Sequence, residues 1–228
     1  EIARLGDALS QSTQRVPASD ELAASLEQDA AEMPLLAEQL EPTTRDEPYR
    51  RKLRYVQARL EARRAALVEA RGAGAPEVHL PAHAYRHPSE LLADLRIVAR
   101  SLEQNRGQRA GLRRVRGLRR QVETFGLHLT RLDVRVPAAW VREAARTALW
   151  LPDGATLDEA QLDRALSDAR VPPRPDTPGM RAMEAIARIR GVTAGGGAES
   201  FLLSMARGAS DMQAALVLAR NAGLFRPD

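Results

Sequence analysis

The chain has 228 residues and a mass of 25.0 kDa, enough for one or two domains with a sizeable core, which excludes a peptide or a disulfide-stapled miniprotein. It contains no cysteine, which excludes disulfides, thiolate metal sites and cysteine nucleophiles and is compatible with a reducing cytoplasm. Basic residues exceed acidic ones by 34 to 30, and a net charge of +4 is too small by itself to indicate a nucleic-acid partner.

The start of the chain has no signal-peptide pattern. The sequence opens at Glu1, without a methionine, in what is already a helical pattern. No stretch approaches the roughly 20 apolar residues that a membrane-spanning helix needs. We therefore expect a soluble protein and a chain that is a piece of something larger.

Three amphipathic helices are predicted in the first half of the chain, because apolar residues recur at three-, four- and seven-residue steps. The stripes are Tyr49, Leu53, Val56, Leu60 and Leu67 in the first helix, Leu91, Leu95, Val98 and Leu102 in the second, and Leu112, Val115, Leu118 and Val122 in the third. Asp46 and Pro48 mark the start of the first helix and Gly72 its end. Ser89 is expected to cap the second, which ends near Gly107.

Three further helices are predicted in the second half from their start signals. Thr156 and Glu159 form a capping-box pattern, and Thr177 followed by a proline starts the next helix. Ser210 is expected to cap the last helix, which Gly223 closes. We expect loops at residues 72–88 and 171–176, a helical region at 1–123, and a region of strand-helix units at 124–228.

Two segments have the spacing of strands. Side chains alternate between two faces from Leu127 to Arg135, and a short apolar run from Ser200 to Met205 follows a glycine triplet. A helical pattern follows each segment. The order predicts two strand-helix units whose strands belong to a parallel sheet or barrel.

The predicted first strand carries the most suggestive polar residues. Arg131, Asp133 and Arg135 lie on one face, so polarity rises toward the carboxyl end, where ligands bind in parallel barrels. A guanidinium there can bind a phosphate or a carboxylate through two parallel hydrogen bonds, with the aspartate holding its orientation. The alternative is a structural ladder of ion pairs on a strand edge.

A cluster of arginines is the second charged feature. Nine arginines and a single acidic residue, Glu103, lie between Arg96 and Arg120. No aromatic residue is interleaved with them to stack on a base, so the pattern favours a solvated helix face over a nucleic-acid site.

Histidines and tryptophans offer weaker signals. His79, His83 and His87 have the spacing of helical metal ligands, but prolines interrupt the helix that would align them, which favours a polar surface loop. Trp140 and Trp150 are expected to be packing residues. From these patterns alone the chain is a soluble, mostly helical domain.

Four motifs in order resemble one enzyme family. The segment Thr124–Arg135, with Phe-Gly-Leu leading into Arg-Leu-Asp-Val-Arg, closely resembles a barrel strand of the phosphoenolpyruvate carboxylases. Glu47–Arg50 is similar to the family's Glu-Pro-Tyr-Arg, and Arg100–Leu102 to its Arg-Ser-Leu. The segment from Ala198 to Asp211 resembles the strand Ile-Ser-Met-Ala followed by Ser-Asp at the start of a helix.

The resemblance implies a fold, a reaction and a set of roles. It implies a mostly helical chain with a few parallel strands of a (β/α) barrel, in an enzyme that joins bicarbonate to phosphoenolpyruvate and releases oxaloacetate and phosphate. Arg135 would be the catalytic and substrate-binding arginine, Arg131 a second substrate-binding residue and Asp133 their orienting carboxylate. The parent enzyme would be a cytoplasmic homotetramer that binds Mg2+ or Mn2+ through ligands outside this chain, with no nucleic-acid or membrane partner.

The chain also departs from the family pattern. Val136, Pro137 and Ala138 replace the glutamine, acidic residue and serine that follow the arginine in the family, and the histidine motif and the glycine-rich Arg-Gly-Gly loop are absent. The resemblance covers a central quarter of the enzyme, so we expect the isolated chain to be inactive. The alternative is a non-catalytic helical scaffold or interaction module derived from the family.

Overall fold

The chain folds as two units, Glu1–Leu129 and Thr130–Asp228. The structure is a computed structural model that describes residues 1–9, 11–75, 78–168, 170, 172–193 and 195–225. Pro76, Glu77 and Val171, which belong to the two predicted loops, lie outside the described residues.

Helices build the first unit. They are α1 (Ile2–Ala8), α2 (Asp20–Glu32), α3 (Pro34–Thr44), α4 (Pro48–Gly72), α5 (Pro88–Gln104) and α6 (Arg113–Phe125), with a π-helical turn at Gln108–Leu112 directly before α6. The three predicted helices are confirmed as α4, α5 and α6. Within the described residues, no helix is both long and apolar enough to span a membrane.

The start of α5 differs from the prediction. His87, not Ser89, is its N-cap, and the His87 Nδ1 atom accepts a hydrogen bond of 3.1 Å from the backbone N–H of Ser89. Pro88 occupies the first helical position, for which its fixed φ is suited, so the cap falls on the residue before the proline.

The predicted apolar stripes form the core of the first unit. Leu53 and Val56 of α4, Leu95 and Val98 of α5, and Val115 of α6 are completely buried. Most of the stability of these helices comes from this shared burial, because helix propensity alone is weak.

A lysine lies inside that core. Lys52 on α4 is 1% exposed, and its Nζ lies 2.7 Å from a carboxylate oxygen of Asp29 on α2 and 2.7 Å from one of Asp94 on α5. Arg59 binds the second oxygen of Asp29 at 2.7 Å, and the Tyr85 hydroxyl donates to the second oxygen of Asp94. Since buried charges are tolerated only when paired, this network fixes three helices relative to one another.

The second unit combines a small sheet with helices. Its elements are β1 (Leu132–Pro137), α7 (Ala138–Ala148), α8 (Glu159–Ser167), α9 (Pro178–Val192), β2 (Ala198–Ser204) and α10 (Ala209–Asn221). The two strands pair in parallel, with Asp133 opposite Ser200 and Arg135 opposite Leu202. The predicted parallel strand-helix units are confirmed, although the described residues do not form a complete barrel.

One face of the sheet packs on helices. Val136 is buried with Val141 of α7 and Met180 of α9, and Val134 and Phe201 pack against the same cluster. The opposite face carries the polar side chains.

The prediction of a strand from Leu127 was wrong for its first half. Gly126 and Leu129 both have positive φ angles, 58° and 66°, which interrupt the extended backbone. Leu132 is the first residue of the segment with a partner on β2, Ala198, and the strand begins there. The second strand begins two residues earlier than predicted, at Ala198.

Two of the three start signals in the second unit were misassigned. Thr177 caps α9 as predicted, and its side chain accepts from the N–H of Met180. Asp158 rather than Thr156 caps α8, since its carboxylate accepts from the helix N–H two residues on. Gly208 rather than Ser210 is the N-cap of α10.

The expectation that both tryptophans pack was wrong for Trp150. It lies beyond the end of α7 with a φ of 58° and is 83% exposed. Trp140, within α7, is partly exposed.

Candidate functional site

The uncovered face of the two-stranded sheet carries two of the three predicted site residues. Asp133 and Arg135 of β1 lie on this face beside their register partners Ser200 and Leu202 of β2, because paired residues of neighbouring strands point to the same side. All four side chains are exposed. The face is therefore a mixed polar and apolar surface that the second unit leaves open.

Arg131 lies just before β1, at the amino end of the sheet. One of its guanidinium nitrogens is 2.9 Å from a carboxylate oxygen of Glu199, at the start of β2. Both side chains are exposed, so the pair stabilises the fold by less than about 1 kcal/mol. A single ion pair therefore links the two strands at this end of the sheet.

Asp133 is engaged by its register partner. Its Oδ1 atom accepts a hydrogen bond from the Ser200 hydroxyl. Within the described part of the chain, no ion pair joins Asp133 to Arg131 or Arg135. The orienting role of Asp133 stays a prediction.

Arg135 lies nearest the carboxyl end of the sheet. Its side chain is exposed, and it has no hydrogen bond or ion pair with any other described residue. A guanidinium with no protein partner keeps its five N–H donors available for a ligand. Of the three predicted residues, Arg135 alone combines this freedom with a position at the ligand-binding end of a parallel strand.

The residues that follow Arg135 join the strand directly to a helix. Val136 is 3% exposed and Ala138 is completely buried. Pro137 is the N-cap of α7, in extended conformation. The three residues that depart from the family pattern therefore belong to the core and to the turn between β1 and α7.

Two helices begin at the same edge as Arg135. α7 starts one residue after β1 ends, and α10 starts five residues after β2 ends, so both amino termini lie at the carboxyl end of the parallel sheet. Helix amino termini carry a partial positive charge. Together with Arg135 they make this edge favourable for an anion.

An ion pair ties these two helices together. Arg142 of α7 lies 2.7 and 2.8 Å from the two carboxylate oxygens of Asp211 on α10, which is 2% exposed, and Asp211 also accepts from the N–H of Arg207 at 2.7 Å. Burial opposes ionisation, but the Arg207 N–H and the Arg142 guanidinium outweigh it and hold the pKa of Asp211 below its ordinary value. The sequence patterns did not predict the ion pair between Arg142 and Asp211. The one feature that pointed to Asp211 was the Ser-Asp sequence at the start of α10.

The chemistry available at this edge is anion binding. No group of three histidine, aspartate or glutamate side chains in the described residues lies close enough together to hold a metal ion. The arrangement can neutralise and orient a phosphate or carboxylate.

Comparisons with known proteins agree along the whole chain. A family model described as phosphoenolpyruvate carboxylase matches residues 1–228. A phosphoenolpyruvate carboxylase from Roseiflexus castenholzii is 35% identical over 99% of this chain and 26% of its own length. Enzymes of the same name from Xanthomonas euvesicatoria pv. vesicatoria and Aromatoleum aromaticum are 36% and 34% identical, over 98% and 100% of this chain and 24% and 25% of their own lengths. The chain spans about a quarter of the length of these curated relatives.

Proposed function

Because the chain belongs to the phosphoenolpyruvate carboxylase family, we propose that it is the central part of an enzyme that joins bicarbonate to phosphoenolpyruvate and releases oxaloacetate and phosphate. One observation carries the proposal for this chain's own contribution. Arg135 is an exposed, unpartnered guanidinium at the carboxyl end of β1, on the face that the helices leave uncovered.

Arg135 acts on the charge of the substrate. Phosphoenolpyruvate carries a phosphate and a carboxylate, each of which matches the two parallel N–H donors of a guanidinium. As phosphate leaves, negative charge develops on the enolate oxygen, and a fixed guanidinium stabilises that charge. Arg135 is therefore proposed to bind the substrate and to lower the barrier to its carboxylation.

The neighbouring residues have smaller proposed roles. Arg131 adds positive charge to the amino end of the same strand, where Glu199 partly neutralises it. Asp133, held by Ser200, limits the positions open to the side chains beside it. The pair Arg142–Asp211 positions the amino ends of α7 and α10 relative to the sheet.

The rest of the enzyme supplies what this chain lacks. We propose that the whole protein binds Mg2+ or Mn2+ through residues on other segments, assembles as a homotetramer and acts in the cytoplasm. The sequence lacks the family's histidine motif and its glycine-rich loop, so the isolated chain is proposed to be inactive.

A non-catalytic scaffold derived from the family is the second candidate. The incorporation of Val136 and Ala138 into the core favours it, since this turn folds without the polar family residues. The uncovered sheet favours the enzyme instead. Leu132 and Leu202 are each 46% exposed. Within the described residues each strand pairs only with the other, so the outer edge of each strand is unpaired and could bind a further strand.

Substitution of Arg135 in the full-length protein tests the proposal. Arg135→Gln is expected to lower kcat/KM for oxaloacetate formation by about 100- to 1,000-fold, the usual cost of removing one donor to a developing oxyanion. The matched control is Arg188→Gln, which removes an exposed arginine of α9 that has no side-chain hydrogen bond or ion pair among the described residues and should leave kcat/KM within about twofold. Equal activity of Arg135→Gln and the control, at equal thermal stability, contradicts the proposal.

A further inference from the structure

We propose that the first unit binds a small polyanion, carrying phosphate or carboxylate groups, in a groove along α6. The groove has a volume of about 500 Å3 and is separate from the sheet of the second unit. Its lining is Gln108, Leu112, Arg113, Arg116, Gly117 and Arg120. The inference does not rest on the carboxylase activity.

Helical spacing brings the three arginines together. Arg113, Arg116 and Arg120 are three and four residues apart on α6, so their side chains project from one face of the helix. The π-helical turn before α6, in which Gly111 has a φ of 122°, places Gln108 and Leu112 at the end of the same groove.

The groove carries uncompensated positive charge. None of its lining residues is acidic. Arg116 is paired with Glu103 at 2.8 Å, whereas Arg113 and Arg120 have no ion pair or side-chain hydrogen bond with any described residue. Like charges on neighbouring helical turns repel one another, so an anion between them relieves repulsion as well as forming charge-assisted hydrogen bonds.

Its shape indicates a small ligand. Gly117 lies between the arginines, and a Cβ added there would meet no atom within 4 Å, so the middle of the groove is open. The volume is in the range of small-molecule sites. No aromatic residue lines it, so it offers no surface on which a nucleobase could stack, which favours a small polyanion over a nucleic acid.

Titration calorimetry with inorganic pyrophosphate tests the inference, with citrate as a second probe to separate phosphate from carboxylate recognition. Measurements are made on the 228-residue chain at constant ionic strength. Arg113→Gln and Arg120→Gln should each weaken the binding of the better probe by about tenfold. Arg114→Gln is the matched control, because it removes the same charge from the same helix outside the groove, and it should change the affinity less than about twofold.

A second variant tests the groove without changing the charge. Gly117→Leu fills the open space and should abolish binding, while the helix becomes more stable because leucine favours a helix more than glycine. Equal weakening by Arg113→Gln and Arg114→Gln indicates diffuse electrostatic attraction and overturns the inference. So does unchanged binding in Gly117→Leu, or binding of a single-stranded oligonucleotide with no response to either probe.

Discussion

Replacing Lys52 by methionine isolates the contribution of the buried ionic network in the first unit. Methionine fills nearly the same space, so no cavity forms, but Asp29 and Asp94 lose a cation 2.7 Å from each carboxylate. Asp29 keeps Arg59, while the one partner that Asp94 keeps among the described residues is the hydroxyl of Tyr85. Removing one partner of a buried ion pair costs about 3–5 kcal/mol, a large part of the usual 5–15 kcal/mol free energy of unfolding.

Urea denaturation followed by circular dichroism measures this loss. Arg54→Met is the matched control on the same helix, because Arg54 and Asp7 form an exposed pair at 2.9 Å whose loss should cost less than about 1 kcal/mol. Adding Asp94→Asn to Lys52→Met removes the uncompensated charge and should recover at least about 1 kcal/mol. A loss in Lys52→Met no larger than in Arg54→Met would show that the buried ionic network does not stabilise the first unit.

Three further predictions concern stability. Because the pKa of Asp211 is lowered in the folded chain, its ion pair with Arg142 stabilises the second unit above about pH 4. This stabilisation is lost as the pH falls through the lowered pKa. Acid denaturation should therefore start at higher pH in Arg142→Gln than in the parent chain. Burial and the charge of a neighbouring carboxylate raise the pKa of Tyr85, so the free energy of unfolding should fall as the pH rises above about 10, and Tyr85→Phe should flatten that fall in alkaline denaturation. Gly179→Ala would place a Cβ 2.5 Å from a backbone carbonyl oxygen of α7 and should lower the free energy of unfolding by about 1–3 kcal/mol. Gly191→Ala would meet no atom within 4 Å and should stabilise α9 by up to about 1 kcal/mol. Thermal denaturation of both variants measures the difference.

The helix starts that the sequence predicts best are those of α4 and α9, where a proline lies in the first helical turn. α4 and α9 begin where Pro48 and Thr177 indicate, because the local signals agree with the packing. The predicted N-caps were wrong where more than one residue near the start of a helix could cap it. In α10 the Asp211 carboxylate binds the N–H of Arg207, which places Ser210 inside the first turn rather than at the cap.

Long-range pairing set the features that the sequence did not predict. The alternation of side chains predicted that β1 begins at Leu127. A strand forms only where it has a partner, and the first residue of β2 lies opposite Leu132. Lys52 lies beside the apolar stripe of α4, and its partners are 23 and 42 residues away in the sequence, so no local pattern marks it as buried.

The site residues show the same contrast between features set by local sequence and features set by long-range pairing. Alternation correctly placed Asp133 and Arg135 on one face, since the face of a strand is a local property. The partners of that face were not predictable, because Ser200 and Glu199 reach Asp133 and Arg131 only through the pairing of strands more than 60 residues apart. The open position of Arg135 follows from which side of the sheet the helices cover.

Oxaloacetate formation from phosphoenolpyruvate and bicarbonate should be measured side by side for the pure 228-residue chain and for the full-length protein that contains it. If this chain is the central part of a carboxylase, the full-length protein turns over, and the isolated chain, which supplies Arg135 but lacks most of the site, does not. Turnover by the isolated chain, or its absence from the correctly folded full-length protein, would contradict this assignment.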